Sequence, residues 1–185
     1  MENLEKSIAD LNLINNIELK EIPEIDLYID QVIQLFESKL DSTKRTQDDK
    51  ILTKTMINNY VKGRLLMPVN KKKYTKEHII LMSLIYQLKG GLSISDIKDV
   101  VDNAVMKISN QEEFNLEEIY KNYIDINRKN TNDFDKEVKS IKEKIDIDCN
   151  IQKENESMLM VIALINKANM YRRLAEKIID NNKEK

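Results

Sequence analysis

The chain has 185 residues and a formal net charge of −2, with 41% hydrophobic and 34% charged residues. Three glycines and two prolines are too few for an all-β fold, which needs frequent turns. The single cysteine, Cys149, excludes an internal disulfide and a cysteine-rich zinc site. The chain shows no signal peptide and no apolar run near ~20 residues, so we expect a cytoplasmic protein without a membrane span.

Positive charge is concentrated in one stretch of this acidic chain. Residues 44–76 contain ten lysines and arginines against two acidic residues, a local charge of +8, so the rest of the chain carries −10. Such asymmetry focuses an electrostatic field on one patch of the surface. The net charge of the chain gives no indication of a polyanionic partner, but this basic patch predicts one.

Two helices are predicted before this basic stretch. Residues 1–20 form a short amphipathic helix, because four apolar residues recur there at spacings of four and three: Leu4, Ile8, Leu11 and Ile14. Pro23 interrupts the pattern and can open the next helix, over residues 25–40. Residues 41–50 have no apolar side chain and are predicted to form a loop.

A helix with two distinct faces is predicted from Thr53, its N-cap, to about Arg64. At ~100° per residue, its apolar side consists of Met56, Ile57, Tyr60 and Val61. Its polar side consists of Lys54, Thr55, Asn58, Asn59 and Lys62. A solvated helix face usually mixes acidic with basic residues, so a face without acids suggests an anionic partner.

The basic stretch continues into an extended segment after this helix. The residue before Pro68 avoids the α-helical region, so the helix ends there. Residues 69–74 (VNKKKY) are too few for a helix and too basic for a core. They predict a tight, basic two-stranded ribbon.

Two further helices are predicted to support the ribbon. Thr75 is an N-cap for a helix that runs to about Lys89 and ends at Gly90-Gly91. Ser93 and Asp96 have the spacing of a capping box and begin the next helix.

Three helical patterns follow, over residues 114–126, 134–145 and 158–179. The last begins with MLMVIALI, which is apolar nearly all round. Such a segment must be covered on more than one side, either within its own domain or by a second subunit.

The central stretch resembles the winged helix-turn-helix of the MerR family of transcriptional regulators. That family's second helix reads T-I-R-Y-Y-E-x-x-G-L-L, and residues 56–66 (MINNYVKGRLL) correspond to it, followed by Pro68. Tyr74 falls at the wing tyrosine, and residues 91–101 (GLSISDIKDVV) match G-F-S-L-E-E-I-K-E-L-L. The resemblance covers residues 27–101, and the same pattern is similar to a bacterial family described only as a domain of unknown function.

The resemblance implies a winged-helix fold and DNA binding, but three reading positions depart from the family pattern. Asn58 and Asn59 stand where the family has arginine and tyrosine, and Asn70 replaces the arginine of the wing. The family's base preference is therefore not carried over to this chain. The C-terminal part lacks an evident single long coiled-coil pattern, so the family's dimer geometry is not carried over either.

Double-stranded DNA is the predicted partner. The helix that begins at Thr53 would lie in a major groove, where asparagine amides can pair with adenine edges. The ribbon lysines would contact a neighbouring backbone. The predicted DNA-binding residues are Thr53, Lys54, Thr55, Asn58, Asn59, Lys62, Lys71, Lys72 and Lys73.

Two alternatives to DNA binding remain open. The scaffold could serve as a protein-interaction adaptor whose lysine-rich surface is merely solvated. It could also be a small-molecule sensor without DNA contact, which would require a closed apolar pocket among the C-terminal helices.

Residues that could support catalysis or metal binding are sparse. His78 is the single histidine and is interpreted as a partly buried structural group. Cys149 has no second soft ligand nearby, and Asp146 and Asp148 lack the spacing of a calcium loop. No phosphate-binding loop or hydrolase motif is present. We therefore predict no enzyme, no metal and no cofactor.

The sequence thus predicts an all-α, cytoplasmic winged helix-turn-helix protein with a short basic β-ribbon wing and a C-terminal helical extension. Three segments are expected: an N-terminal helical segment (1–22), a MerR-like domain (23–105) and a C-terminal helical domain (106–185) for dimerisation or sensing. A homodimer is expected because most helix-turn-helix proteins read two half-sites.

Overall fold

A computed structural model describes residues 4–148 and 152–183, which are mostly helical with one small antiparallel sheet. The helices are α1 (Leu4–Asp10), α2 (Ile29–Leu40), α3 (Lys54–Lys62), α4 (Lys76–Leu88), α5 (Ile94–Ser109), α6 (Leu116–Asp148) and α7 (Glu156–Lys183). The strands are β1 (Leu27–Tyr28) and β2 (Lys73–Tyr74), and short 3-10 turns lie at Leu19–Glu21, Asp41–Thr43 and Lys153–Asn155. The mostly helical character predicted from the sequence is confirmed.

The chain forms two compact units. The central unit comprises residues 15–125, and the terminal unit comprises residues 1–14 together with 126–185. This division differs from the segment boundaries expected at 22/23 and 105/106. The central unit extends further because α5 and the first turns of α6 contribute Val101, Leu116 and Tyr120 to its core.

The core of the central unit is filled by large apolar side chains from each of its helices. Phe36 of α2, Ile57 of α3 and Ile80 of α4 are completely inaccessible to solvent. The Tyr120 hydroxyl donates a hydrogen bond of 2.7 Å to the carbonyl of Ile17, which satisfies the one polar atom of this buried side chain. The segment before β1 is thereby fixed to α6.

Side-chain caps begin the helices as the sequence predicted. The Thr53 hydroxyl accepts a hydrogen bond of 3.2 Å from the Met56 amide, and the Ser93 hydroxyl accepts one of 3.1 Å from the Asp96 amide. Helix α4 ends at Leu88, just before Gly90-Gly91 as predicted, although neither glycine adopts a positive φ. That helix ends without the left-handed residue that glycine usually supplies.

The small sheet joins two segments that are distant in sequence. β1 pairs with β2 in the register Leu27↔Tyr74 and Tyr28↔Lys73. The prediction of a two-stranded ribbon within residues 69–74 is therefore wrong. That segment contains a single bridge, Asn70↔Lys73, and the strand that pairs with β2 is β1, which precedes α2. The short segment between Pro68, which has no amide hydrogen, and Lys73 leaves no room for a longer hairpin.

The chain forms one long helix, α6, where two were predicted. Apart from residues 114 and 115, the patterns at residues 114–126 and 134–145 fall within this 33-residue helix. Residues 127–133 (NRKNTND) interrupt the apolar periodicity, but they include neither proline nor glycine to end a helix. A long helix is thus present after Val101, although the sequence shows no evident long coiled-coil pattern there.

The terminal unit has a much smaller core. Val138 and Ile145 of α6 and Met160 of α7 are its buried centre, and Leu4 and Ile8 of α1 pack against them. Helix α1 ends at Asp10, well short of the predicted residue 20.

Helix α7 exposes most of its apolar residues to solvent. The exposed side chains are Met158, Val161, Ile162, Ile165, Met170, Tyr171, Leu174 and Ile178, with exposed fractions of 53–63%. Within residues 4–148 and 152–183, no helix has the length and hydrophobicity needed to cross a membrane.

Candidate functional site

The two faces of α3 separate as the sequence predicted. Ile57 is 0% exposed and Tyr60 is 6% exposed, and both pack into the core of the central unit. Thr55, Asn58 and Asn59 are exposed on the other side. Burial of the apolar side fixes the rotation of the helix, so these polar side chains are presented outward.

A tight turn ends α3 and directs the chain towards the ribbon. The Leu65 amide donates a hydrogen bond of 2.8 Å to the Tyr60 carbonyl, and Arg64 adopts a positive φ of 61°. This is the left-handed residue of a helix C-terminal motif, a position that glycine usually occupies. A Cβ atom on the preceding Gly63 would lie 3.0 Å from the Asn59 carbonyl oxygen, a tight contact that glycine avoids.

The lysines of the basic segment lie on a sharp turn. Lys71 and Lys72 have positive φ values of 47° and 62°, and the Lys73 amide donates a hydrogen bond of 2.9 Å to the Asn70 carbonyl. Two successive positive φ values are typical of a type I′ turn, which favours asparagine and glycine. Each left-handed lysine costs on the order of 1–2 kcal/mol. The turn holds both lysine side chains exposed beside α3.

The ribbon is anchored to the core next to this turn. Tyr74 is 5% exposed, and burial raises the pKa of its hydroxyl. Its ring meets the ring of His78 edge-on, with 5.6 Å between ring centres. Lys73 Nζ lies 5.6 Å from the centre of the Tyr28 ring on the paired strand. The interpretation of Tyr74 as an anchor for the ribbon is confirmed.

A groove of ≈ 530 Å³, hereafter the α3–turn groove, lies between α3 and the lysine turn. Its lining residues are Ile29, Lys54, Asn58, Val61, Lys62, Val69, Lys72 and Tyr74. The buried or half-buried members are all apolar or aromatic, whereas the three lysines and Asn58 are exposed. The groove therefore has an apolar floor and a basic rim.

The polar face of α3 has no acidic residue of its own, but one acidic residue of α2 lies beside it. Lys54 Nζ lies 2.7 Å from the Asp30 carboxylate of α2, and both side chains are largely exposed. An exposed pair of this kind contributes about 0–1 kcal/mol to stability. Its larger effect is to reduce the positive potential at the N-terminal end of α3.

Tertiary structure also pairs other basic residues of the stretch with acids from outside it. Lys44 lies 2.6 Å from the Glu37 carboxylate, and Lys76 lies 2.8 Å from Glu24 and 3.0 Å from Glu117. Hydrogen bonds to Asp41 and Glu37 raise the pKa of Lys44, and hydrogen bonds to Glu24 and Glu117 raise the pKa of Lys76. Among the described residues, no acid pairs with Lys62, Lys71 or Lys72. The lysines without an acidic partner thus occupy a smaller surface than the whole stretch 44–76 would suggest. That surface is centred on the groove and the lysine turn.

The structure brings four of the nine predicted site residues together in the groove: Lys54, Asn58, Lys62 and Lys72. Thr55 and Asn59 lie on the exposed face of α3, and Lys71 lies at the tip of the lysine turn. The Thr53 hydroxyl oxygen instead serves as the helix cap. Lys73 is half-buried on β2.

Sequence reasoning did not identify the floor of the groove or its acidic neighbour. Ile29 and Asp30 belong to α2, which is far from α3 in sequence, and Val69 follows Pro68 in the extended segment. Val61 was identified as an apolar residue of α3, but it lines a groove only because the lysine turn lies opposite it in the folded chain. No periodicity in a single sequence could have found this combination.

His78 is a structural residue. It is 3% exposed, its Nδ1 accepts a hydrogen bond of 3.1 Å from the Thr75 amide, and its Nε2 lies 3.2 Å from the Met67 carbonyl. Since Nδ1 accepts, Nε2 carries the hydrogen and donates to Met67. Burial lowers the pKa of His78, so the ring stays neutral at pH 7. It links the start of α4 to the chain before Pro68.

The other candidate residues do not form a metal site in the part of the chain that the structure describes. Asp146 pairs with Lys142 one turn away on α6. Cys149 lies outside the described residues. Across residues 4–148 and 152–183, no three or more His, Cys, Asp or Glu residues cluster as metal ligands.

Comparison with known proteins identifies a family for the central unit. A family model described as Domain of unknown function (DUF1836) matches residues 17–123, a span that lies within residues 15–125. The expected similarity to a family described only as a domain of unknown function is thus confirmed. No curated protein and no solved structure matches the chain.

Proposed function

We propose that this chain, which belongs to the DUF1836 family of domains of unknown function, is a DNA-binding transcriptional regulator with a MerR-like winged helix-turn-helix. Helix α3 would enter the major groove, and the lysine turn would contact the phosphate backbone. The observation that carries this proposal is the exposed polar face of α3 beside three lysines for which the described residues provide no acidic partner, namely Lys62, Lys71 and Lys72.

The outward side chains of α3 are suited to reading bases. Asn58 and Asn59 are exposed and adjacent, and each amide offers a donor and an acceptor to an adenine edge. A well-formed contact of this type contributes ~1–3 kcal/mol of discrimination against the wrong base. Thr55 is exposed on the same face and can bond to a base edge or a phosphate.

The lysine turn is suited to holding a backbone. Its φ values of 47° and 62° fix Lys71 and Lys72 at the apex, where their ammonium groups extend into solvent. Lysine contacts to phosphate supply affinity and register, but they carry no sequence information. We therefore assign affinity to the turn and specificity to α3.

Local conformation supports the MerR-like scaffold. Arg64 corresponds to the glycine of the MerR motif x-x-G-L-L, and its φ of 61° retains the left-handed backbone that glycine would supply there. Tyr74, at the position of the wing tyrosine, is buried and anchors the ribbon. The capping box at Ser93 and Asp96 begins the supporting helix.

We further propose that the protein is a homodimer formed through α7. Eight apolar side chains of this helix are more than half exposed, and exposed patches of this extent usually mark an interface. At ~100° per residue the first four, between residues 158 and 165, lie on one side of the helix, and the last four, between residues 170 and 178, lie on the other. At roughly 100 Å² each, one side provides about 400 Å², half of the ~800 Å² that each partner contributes to a standard interface. A second copy presents the same apolar surface, and two copies would present two reading helices.

Fluorescence anisotropy with labelled duplex DNA of random sequence tests the DNA-binding proposal. We expect binding at low salt, with log K falling linearly against log salt by ~0.9 for each neutralised phosphate. A protein that does not bind duplex DNA at low salt overturns the proposal. Co-purification of a protein without nucleic acid would then favour the adaptor alternative.

Sedimentation over a range of concentrations tests the dimer. We expect dissociation of the dimer when Val161 and Ile165, which are 59% and 58% exposed, are both changed to Asp. The matched control places two Asp residues at exposed polar positions of the same helix, Asn166 and Asn169. A parent protein that sediments at 21.7 kDa at every concentration would rule out the dimer.

A further inference from the structure

The α3–turn groove has a feature that DNA binding does not require. Ile29, Val61 and Val69 are half-buried in its floor, and Tyr74, which is buried, also lines it. A phosphate backbone bound to the rim lysines would leave this floor in contact with water. An apolar floor within a basic rim instead matches a ligand that has an apolar body and an anionic group.

The dimensions of the groove are those of a small-molecule site. Its volume is ≈ 530 Å³, and ligand pockets usually measure about 300–1,000 Å³. Such pockets have mostly apolar linings with a few polar groups that fix orientation. Here those polar groups are Asn58 and the lysines of the rim.

We propose that the α3–turn groove binds a small organic anion, an aromatic or acyl body that carries a carboxylate, sulfonate or phosphate. The body would lie on Val61, Val69 and Tyr74. Lys54 already has a carboxylate partner in Asp30 at 2.7 Å. The anionic group is therefore held by Lys62 and Lys72, which have no acidic partner among the described residues.

The ligand would also exclude DNA. Asn58, Lys62 and Lys72 line the groove and are also proposed contacts to bases and phosphates. A ligand in the groove would therefore occupy these side chains, and its negative charge would repel a backbone. This regulatory part of the inference rests on the proposed function, whereas binding of the anion does not.

Naphthalene-2-sulfonate is a suitable probe, and its binding can be followed by backbone amide NMR on the full chain without DNA. We expect saturable shifts at Asn58, Val61, Lys62, Val69 and Lys72. Inorganic sulfate supplies the charge without the body, and 2-naphthalenemethanol supplies the body without the charge. Each should bind at least tenfold more weakly than naphthalene-2-sulfonate.

Two lysines of one turn provide a matched pair of variants. Lys72 lines the groove and Lys71 does not, although both are exposed and both have positive φ. We expect Lys72→Gln to weaken binding of naphthalene-2-sulfonate about fivefold or more, and Lys71→Gln to leave it within twofold. Val61→Ser, on the floor, should weaken it without a change in charge.

Several outcomes would overturn the site. They are shifts confined to α7, equal binding of sulfate or of the neutral alcohol, and equal effects of Lys71→Gln and Lys72→Gln. DNA titrations separate this inference from the proposed function. Anion binding by a protein that binds no DNA would refute the regulatory part and the proposed function together. DNA binding by a protein that binds no naphthalene-2-sulfonate would refute the anion site and its regulatory part, and it would leave the proposed function intact.

Discussion

The central and terminal units bury their apolar residues to very different extents. In the central unit α2 to α5 and the start of α6 share one buried cluster, and the positive charge lies outside it on α3 and the lysine turn. In the terminal unit the buried centre is Val138, Ile145 and Met160, while α7 leaves eight large apolar side chains exposed. The central unit thus completes its core by itself, and the terminal unit has apolar surface available for a partner.

The largest expected effect compares an isoleucine from each unit. Ile80 of α4 is 0% exposed and Ile165 of α7 is 58% exposed. We expect Ile80→Ala to lower the free energy of unfolding by about 2–5 kcal/mol, because it leaves a cavity in a filled core. Ile165→Ala should change it by less than about 0.5 kcal/mol at concentrations where the chain is monomeric.

Urea unfolding followed by circular dichroism measures both values. Equal losses for Ile80→Ala and Ile165→Ala would mean that α7 is already covered within one chain. A loss for Ile165→Ala that appears only at high protein concentration would instead support the dimer.

The next largest effect concerns the charge of the central unit. Changing Lys71, Lys72 and Lys73 to Glu should weaken DNA binding on the order of 100-fold at low salt, since about three phosphate contacts are lost. The slope of log K against log salt should fall by about 3. The matched control changes three exposed lysines of α6 to Glu: Lys121, Lys129 and Lys144. Anisotropy that gives the same loss for both triple variants would contradict a role for the turn.

A smaller effect is expected at the acidic neighbour of α3. Asp30→Asn removes the carboxylate that lies 2.7 Å from Lys54 Nζ. We expect DNA affinity to rise about two- to fivefold, because a rim charge acts mainly through long-range attraction. Asp26→Asn makes the same charge change a few residues away and is the control. Unchanged affinity in Asp30→Asn would show that Lys54 does not contact DNA.

The smallest effect is a pH dependence of stability from His78. The pKa of His78 is lowered from 6.5 by burial, so below pH 6.5 the unfolded chain binds a proton that the folded chain does not. The stability contributed by the neutral ring is therefore complete above pH 6.5 and is lost as the pH falls towards the folded pKa. Because the chain has one histidine, unfolding at pH 7.5 and 5.5 isolates this group. The Glu21 and Asp49 carboxylates have pKa values below 4.5 and 3.8 and titrate outside this window.

The control for this pH dependence is His78→Gln. The variant should be less stable overall, but its stability should no longer change between pH 7.5 and 5.5. A pH dependence of the same size in the variant would mean that another group is responsible.

Local signals in the sequence predicted the elements around the candidate site well. Thr53 and Ser93 were identified as helix caps, and Ile57 and Tyr60 as the buried side of α3. These predictions succeeded because capping and helical periodicity depend on residues within a few positions of one another.

The predictions that failed depended on distance or on backbone energy. α6 was divided into two helices because polar residues 127–133 hid its continuity. The left-handed conformation occurs at Arg64, Lys71 and Lys72, where the sequence has no glycine to indicate it. Tertiary packing can impose such a conformation on arginine or lysine, and the amino-acid sequence does not show at which residues this happens.

The sequence by itself determined the helical character of this protein, the polar face of α3, the basic turn and the family. Tertiary structure decided what these features can do together. It paired Lys54 with Asp30, joined β2 to β1, and placed Val69 opposite α3 to form the floor of a groove. The physical reason is that helix propensity and amphipathicity act over one or two turns, whereas charge neutralisation and concave surface arise between segments that meet only in the folded chain.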